Sequence, residues 1–129
     1  LSIMNLLSNE ETRVAQRYII KATRLSLELL SEKSAGELNE CEKNFVLKVN
    51  KLLAILDEVI ASEKDKINDF KDFLVTCIVL GLDIKQNLKQ KVKLTIVERD
   101  FLESLDQLIQ KYEILKHDEA VSALLKGQA

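Results

Sequence analysis

No proline interrupts this chain of 129 residues, and glycine occurs only at positions 36, 81 and 127. A chain so poor in the two residues that break regular backbone is free to run long helices. Its apolar residues recur three and four positions apart, and no stretch alternates apolar with polar as a half-buried strand does. The sequence therefore predicts an all-α fold: an up-and-down four-helix bundle with a short C-terminal fifth helix. A single domain over residues 1–129 is expected, long enough to bury a core without disulfides or metals.

Helix one is expected from Ser8 to about Lys33. Ser8-Asn9-Glu10-Glu11 reads as a capping box, and Gly36 is placed to adopt the left-handed conformation that ends helices. Helix two runs from about Glu37 to Ala61 with Phe45, Val49, Leu52, Leu56 and Val59 on its core face. Helix three carries Ile67, Phe70, Leu74, Cys77, Gly81, Ile84, Leu88 and Val92 in one stripe. Thr95-Ile96-Val97-Glu98 is a second capping box, opening helix four along Val97, Phe101, Leu105, Leu108, Tyr112 and Leu115. Asp118 is placed to cap a fifth helix, over 118–127, through Val121, Leu124 and Leu125 to Gly127, and 1–7 form an apolar leading segment. The apolar phase passes from helix two into helix three almost unbroken, as in one long coiled-coil helix. The wholly polar Ser62-Glu63-Lys64-Asp65 favours a break near residues 62–66.

Mid-stripe positions place Leu52, Leu56, Leu74, Cys77, Leu105 and Leu108 together in the core. Gly81 stands out among them, because glycine in a helix costs about 1 kcal/mol relative to alanine. A close backbone approach or a kink would account for it, as would a pause in helix three with Asp83 capping the second part.

Several chemistries are set aside by what is missing. A formal net charge of −2 gives no global field favouring nucleic acid or an acidic membrane. The longest uncharged apolar run, Phe73 to Leu82, is about half the roughly 20 residues of a membrane span. Leu1 to Leu7 lacks the basic flank and cleavage site of a secretory signal. Two cysteines, Cys41 and Cys77, do not make a secreted disulfide framework, so a reducing cytoplasm is the default compartment. Both lie on apolar faces, where cysteine behaves as a small hydrophobe. A di-iron bundle needs Glu-x-x-His on two helices, and His117 is the sole histidine. Glu113 and His117 share a face with Arg99, Asp106 and Gln110, which reads as solvated rather than metal-binding. There is no Gly-rich phosphate loop, no Gly-x-Ser-x-Gly and no Cys-x-x-Cys. No catalytic set, cofactor or metal is expected, and the chain does not read as an enzyme.

What remains is surface. On helix one, Val14, Tyr18, Ala22, Leu25 and Leu29 make one face, while Ile20 and Leu27 point nearly opposite and Ile19 and Leu30 lie between. A helix apolar nearly all round is central in a fold or half in an interface, and a four-helix bundle has no central helix. The leading expectation is therefore a non-catalytic interaction module, self-associating or docking a protein partner through Ile19, Ile20, Leu27 and Leu30. Basic residues support a different class. Arg13, Arg17, Lys21 and Arg24 form one ridge on helix one, and Lys85, Lys89, Lys91 and Lys93 gather at the end of helix three, so either set could meet phosphate backbone. A third reading is an apolar-ligand bundle with a pocket lined from Phe70, Phe73, Cys77, Phe101 and Tyr112.

Overall fold

Helix α1 spans Asn9–Glu32, α2 Glu40–Ala61, α3 Ile67–Leu88 and α4 Ile96–His117. The structure is a computed structural model describing residues 9–33, 35–61 and 67–117. Among the described residues these helices and a 3-10 turn at Ala35–Glu37 are the regular elements, and there is no strand. The Ser8 cap, the apolar segment 1–7 and the expected fifth helix over 118–127 lie outside the described residues.

The helices pack in a ring, each on its neighbour in the chain and α1 on α4. Bonds between them fix their directions. The end of α1 meets the start of α2 through Lys33 and Glu42, and the end of α3 meets the start of α2 through Asn87 and Asn39. Along α1, Arg17, Lys21 and Glu28 meet Gln107, Asp100 and Thr95 of the α4 region in descending order. Successive helices are thus antiparallel. Since α2 and α3 lie side by side, they are two helices rather than one long coiled-coil helix.

Aromatic side chains fill the middle of the ring. Tyr18 of α1, Phe45 of α2 and Phe101 of α4 are fully buried. The Phe101 ring lies 5.5 Å from each of the other two, tilted against Tyr18 and edge-on to Phe45. Such geometry suits the ring quadrupoles and adds about 0.5–1.5 kcal/mol per pair beyond burial. The Tyr18 hydroxyl crosses the ring to donate a 2.6 Å hydrogen bond to the Cys77 carbonyl of α3. In a helix that carbonyl also accepts from the N–H four residues on, which is Gly81.

The same contact explains Gly81. Helix α3 runs through it without a break. A Cβ placed there would lie 2.5 Å from Leu105 Cδ1 and 3.1 Å from the Tyr18 hydroxyl. Close approach, rather than a kink or a pause capped by Asp83, is what this position requires. Of the expected core set, Leu52, Leu74, Cys77, Leu105 and Leu108 are buried in one cluster, and the Leu56 side chain lies outside the described ones.

Three local expectations are corrected. Val92 does not continue the α3 stripe: the helix ends at Leu88 and Val92 is fully exposed in the following loop. Gly36 has no positive φ. It sits in the 3-10 turn Ala35–Glu37, which carries the chain from α1 to a cap at Asn39. Helix two consequently begins at Glu40 rather than near Glu37.

Because Leu105 is fully buried against Gly81, Leu105→Ala is expected to lower unfolding free energy by about 2–5 kcal/mol. Tyr18→Phe removes one buried hydrogen bond and is expected to lower it by about 0.5–1.5 kcal/mol. Urea denaturation followed by far-UV circular dichroism measures both. Losses within a few tenths of a kcal/mol for Leu105→Ala would contradict this core.

Candidate functional site

The polar end of the bundle is where α1 and α3 finish and α2 and α4 begin. Two capping boxes face each other there. Asn39 Oδ1 accepts from the Glu42 N–H at 2.8 Å while Glu42 Oε1 accepts from the Asn39 N–H at 3.0 Å. Thr95 Oγ1 accepts from the Glu98 N–H at 3.1 Å while Glu98 Oε1 accepts from the Thr95 N–H at 2.8 Å. Each satisfies two backbone donors that a helix start leaves without partners. Each glutamate is buried, and each holds a lysine of the preceding connection. Lys33 Nζ lies 2.8 Å from Glu42 Oε2, and Lys91 Nζ lies 2.6 Å from Glu98 Oε2. The sequence offered both boxes in the same form, but the one at Asn39-x-x-Glu42 was hidden by assigning Gly36 as the helix break.

A hollow of about 250 Å³ opens between these caps over an apolar floor of Leu25, Leu29, Ile84 and Leu88. Its charges are mutually engaged. Burial alone would raise the Glu42 carboxyl, but the bonds from Lys33 and the Asn39 N–H, with the charges of Lys33 and Lys91, outweigh it and hold the group below its ordinary value. The bond to Glu98 raises the Lys91 ammonium against the opposing effect of burial, and the charges of Glu98, Glu32 and Glu28 add to it. The Thr95 hydroxyl donates to Glu28 at 2.8 Å and Asn87 donates to Asn39 at 3.3 Å, so all four helices are tied at this end. Such an arrangement fixes helix ends; its carboxylates already have the partners that a ligand would need.

The outer face of α1 is different. Ile20, Leu27 and Leu30 are 49%, 61% and 49% exposed. Gln16 and Thr23, on the same strip, are exposed and uncharged. Ile19 does not belong with them: it is buried in the core. A second wet apolar strip, which the sequence reading missed, lies on α3 at Val75, Val79 and Leu82. Its i, i+4, i+7 spacing was present in the sequence, but the continuous apolar run from Phe73 to Leu82 concealed that two faces were involved.

The basic residues divide. Arg13, Arg17 and Arg24 are exposed, and Lys21 is half-buried beside Asp100 at 3.5 Å. Lys85 is half-buried on α3, and Lys89, Lys91 and Lys93 are exposed, with Lys91 engaged by Glu98. The ridge and the lysine cluster stand on different parts of the bundle and make no continuous track. Among the described residues no group of three potential ligands is placed to hold a metal. Glu113 is exposed, and the His117 side chain lies outside the described ones. Burial pushes the Cys77 thiol up to about 12. Burial and the charges of Asp83 and Glu42 raise that of Cys41. Both therefore stay protonated and are poor nucleophiles at neutral pH. Phe73, Cys77 and Phe101 are buried in the packed core, Tyr112 is half-buried against it and the Phe70 side chain lies outside the described ones. The hollows at the capped end and between α1 and α4 are lined by none of these five residues. None of the described helices is long and apolar enough to cross a membrane. Comparison with protein families, with curated proteins and with solved structures finds no match to this chain.

The capped end sets a pH dependence. Glu42 titrates below its ordinary 4.5 when folded. Its stabilisation is present above about pH 4.5 and lost as pH falls through the lower folded value. Cys77 moves the other way, from 9.0 to about 12. Its contribution is present below pH 9 and lost as pH rises toward 12, and Tyr18 and Lys91, both raised, add to that alkaline limb. Unfolding free energies from urea titrations are expected to plateau between these limits. Glu42→Gln is expected to lower the plateau by about 1–3 kcal/mol and to flatten the acid limb alone. An unchanged acid limb in that variant would contradict the assignment.

Proposed function

We propose that this chain is a non-catalytic helical interaction module that associates through the outer face of α1. The observation that carries the reading is the strip Gln16, Ile20, Thr23, Leu27 and Leu30, which is exposed along its length and carries no charge. The opposite face of the same helix, from Val14 through Tyr18 and Leu25 to Leu29, is already buried. The five positions carry no charge and the exposed Arg24 stands one turn from both Ile20 and Leu27; an uncharged centre with arginine at its rim is the composition of an interface. Burying the wet part of Ile20 and Leu27 would stabilise a contact by about 1 kcal/mol for each side chain.

Self-association is the form tested first, because a two-fold pair presents the same strip twice. A protein partner is the alternative occupant. Nucleic-acid binding has weaker support, since Lys21 and Lys91 are engaged by Asp100 and Glu98. An apolar-ligand pocket has no support from the described hollows.

Light scattering and circular dichroism on the Ile20→Glu, Leu27→Glu double variant test the proposal. A folded protein whose mass falls from dimer to monomer supports self-association. A folded monomer both before and after removes the dimer and leaves a heterologous partner. Loss of helicity would place both residues in the internal core and overturn the reading.

A further inference from the structure

Toward the start of α1 and the end of α4, the two helices border a cleft of about 370 Å³. Arg13, Val14 and Arg17 line one wall, and Gln107, Gln110 and Lys111 the other. Arg13 and Arg17 are one turn apart, so their guanidinium groups rise from the same side of α1. Neither forms an ion pair among the described residues. Arg17 Nη1 donates to Gln107 Oε1 at 3.4 Å, which leaves the Gln107 amide N–H groups directed elsewhere. Val14 closes the inner side of the wall as a buried apolar residue.

Charge is unevenly placed along this groove. The adjoining hollow of about 160 Å³ has Asp100 and Glu103 in its lining beside Arg17 and Lys21. The larger cleft has no carboxylate in its lining among the described residues. In a chain of net charge −2, this is a local excess of hydrogen-bond donors and positive charge.

We propose that the cleft between α1 and α4 binds a phosphomonoester through Arg13 and Arg17. A guanidinium presents a planar fork of N–H donors that matches two oxygens of an oxyanion. A carboxylate has one charge and two oxygens, enough for one fork. A phosphoryl group has three terminal oxygens and a charge of about −1.5 to −2 at neutral pH, enough for both arginines with the glutamine amides beside them. The cleft is larger than a phosphoryl group, so the carrier of the ester also has room. That carrier is either a small molecule or a phosphorylated side chain, and the chemistry of recognition is common to both.

Titration of the full chain by calorimetry tests this with O-phosphoserine, with a neutral hexapeptide carrying one phosphoserine, and with the same peptide unphosphorylated. Saturable binding of the phosphorylated probes and none of the bare peptide is expected. Arg13→Ala and Arg17→Ala should each weaken it about tenfold or more, as loss of a charge-assisted bond does. Gln107→Glu, which adds a carboxylate to the lining, should abolish it. All three positions lie at the surface, and circular dichroism checks that the variants keep their helices. Lys89→Ala with Lys93→Ala removes more charge at the other end of the bundle and should change nothing. A peptide bound at least tenfold tighter than free phosphoserine identifies a protein-borne phosphate, and equal affinities identify a small ester. The proposal is overturned if no probe binds saturably, if the arginine variants bind like the parent, or if the lysine variant loses as much as they do.

Discussion

The absence of a side chain at Gly81 is the constraint on which the packing of this bundle turns. It lets Leu105 of α4 rest on the α3 backbone and lets the Tyr18 hydroxyl of α1 reach the Cys77 carbonyl. Tyr18 in turn places its ring against Phe101, and Phe101 meets Phe45. One missing Cβ thereby connects all four helices through a single layer. The helix-propensity loss of about 1 kcal/mol at a glycine is offset by a buried hydrogen bond, two aromatic contacts and a fully buried leucine.

The second determinant is electrostatic and lies at one end. Both connections at that end finish in an arrangement of the same kind, in which a capping box buries a glutamate and the glutamate holds a lysine. The central layer sets how the helices lean on one another, and the caps set where α2 and α4 start. Removing either lysine leaves a buried carboxylate without its partner, so each pair fixes where its helix starts more than it adds net stability. The exposed apolar strips of α1 and α3 and the cleft between α1 and α4 lie elsewhere.

Helical periodicity made most of the fold legible. The faces Val14 to Leu29 on α1, Leu74 to Leu88 on α3 and Phe101 to Leu108 on α4 are those that the structure buries, because a helix repeats its faces regardless of what it packs against. The capping box at Thr95 was legible for the same local reason. Features that depend on two helices at once were not. Nothing near Gly81 in the sequence names Leu105 or Tyr18 as its neighbours. Ile19 was grouped with Ile20 because a helical wheel gives angles but not how deeply a neighbouring helix wraps the side. Val92 kept phase with the α3 stripe, yet the chain had already turned at Leu88 toward the next cap. Arg13 and Arg17 were visible as part of a ridge; that Gln107 and Gln110 complete a cleft with them required the register of α4.

The account rests most heavily on the claim that Leu105 occupies the space of a Cβ at position 81. Unfolding free energies of Gly81→Ala in the parent and in a Leu105→Ala background test it directly. In the parent, overpacking outweighs helix propensity, and the substitution should lower stability by about 1 kcal/mol or more. With Leu105 shortened only the contact with the Tyr18 hydroxyl at 3.1 Å remains, and the same substitution should lower stability by clearly less than in the parent. An effect of the same size in both backgrounds would contradict the claim.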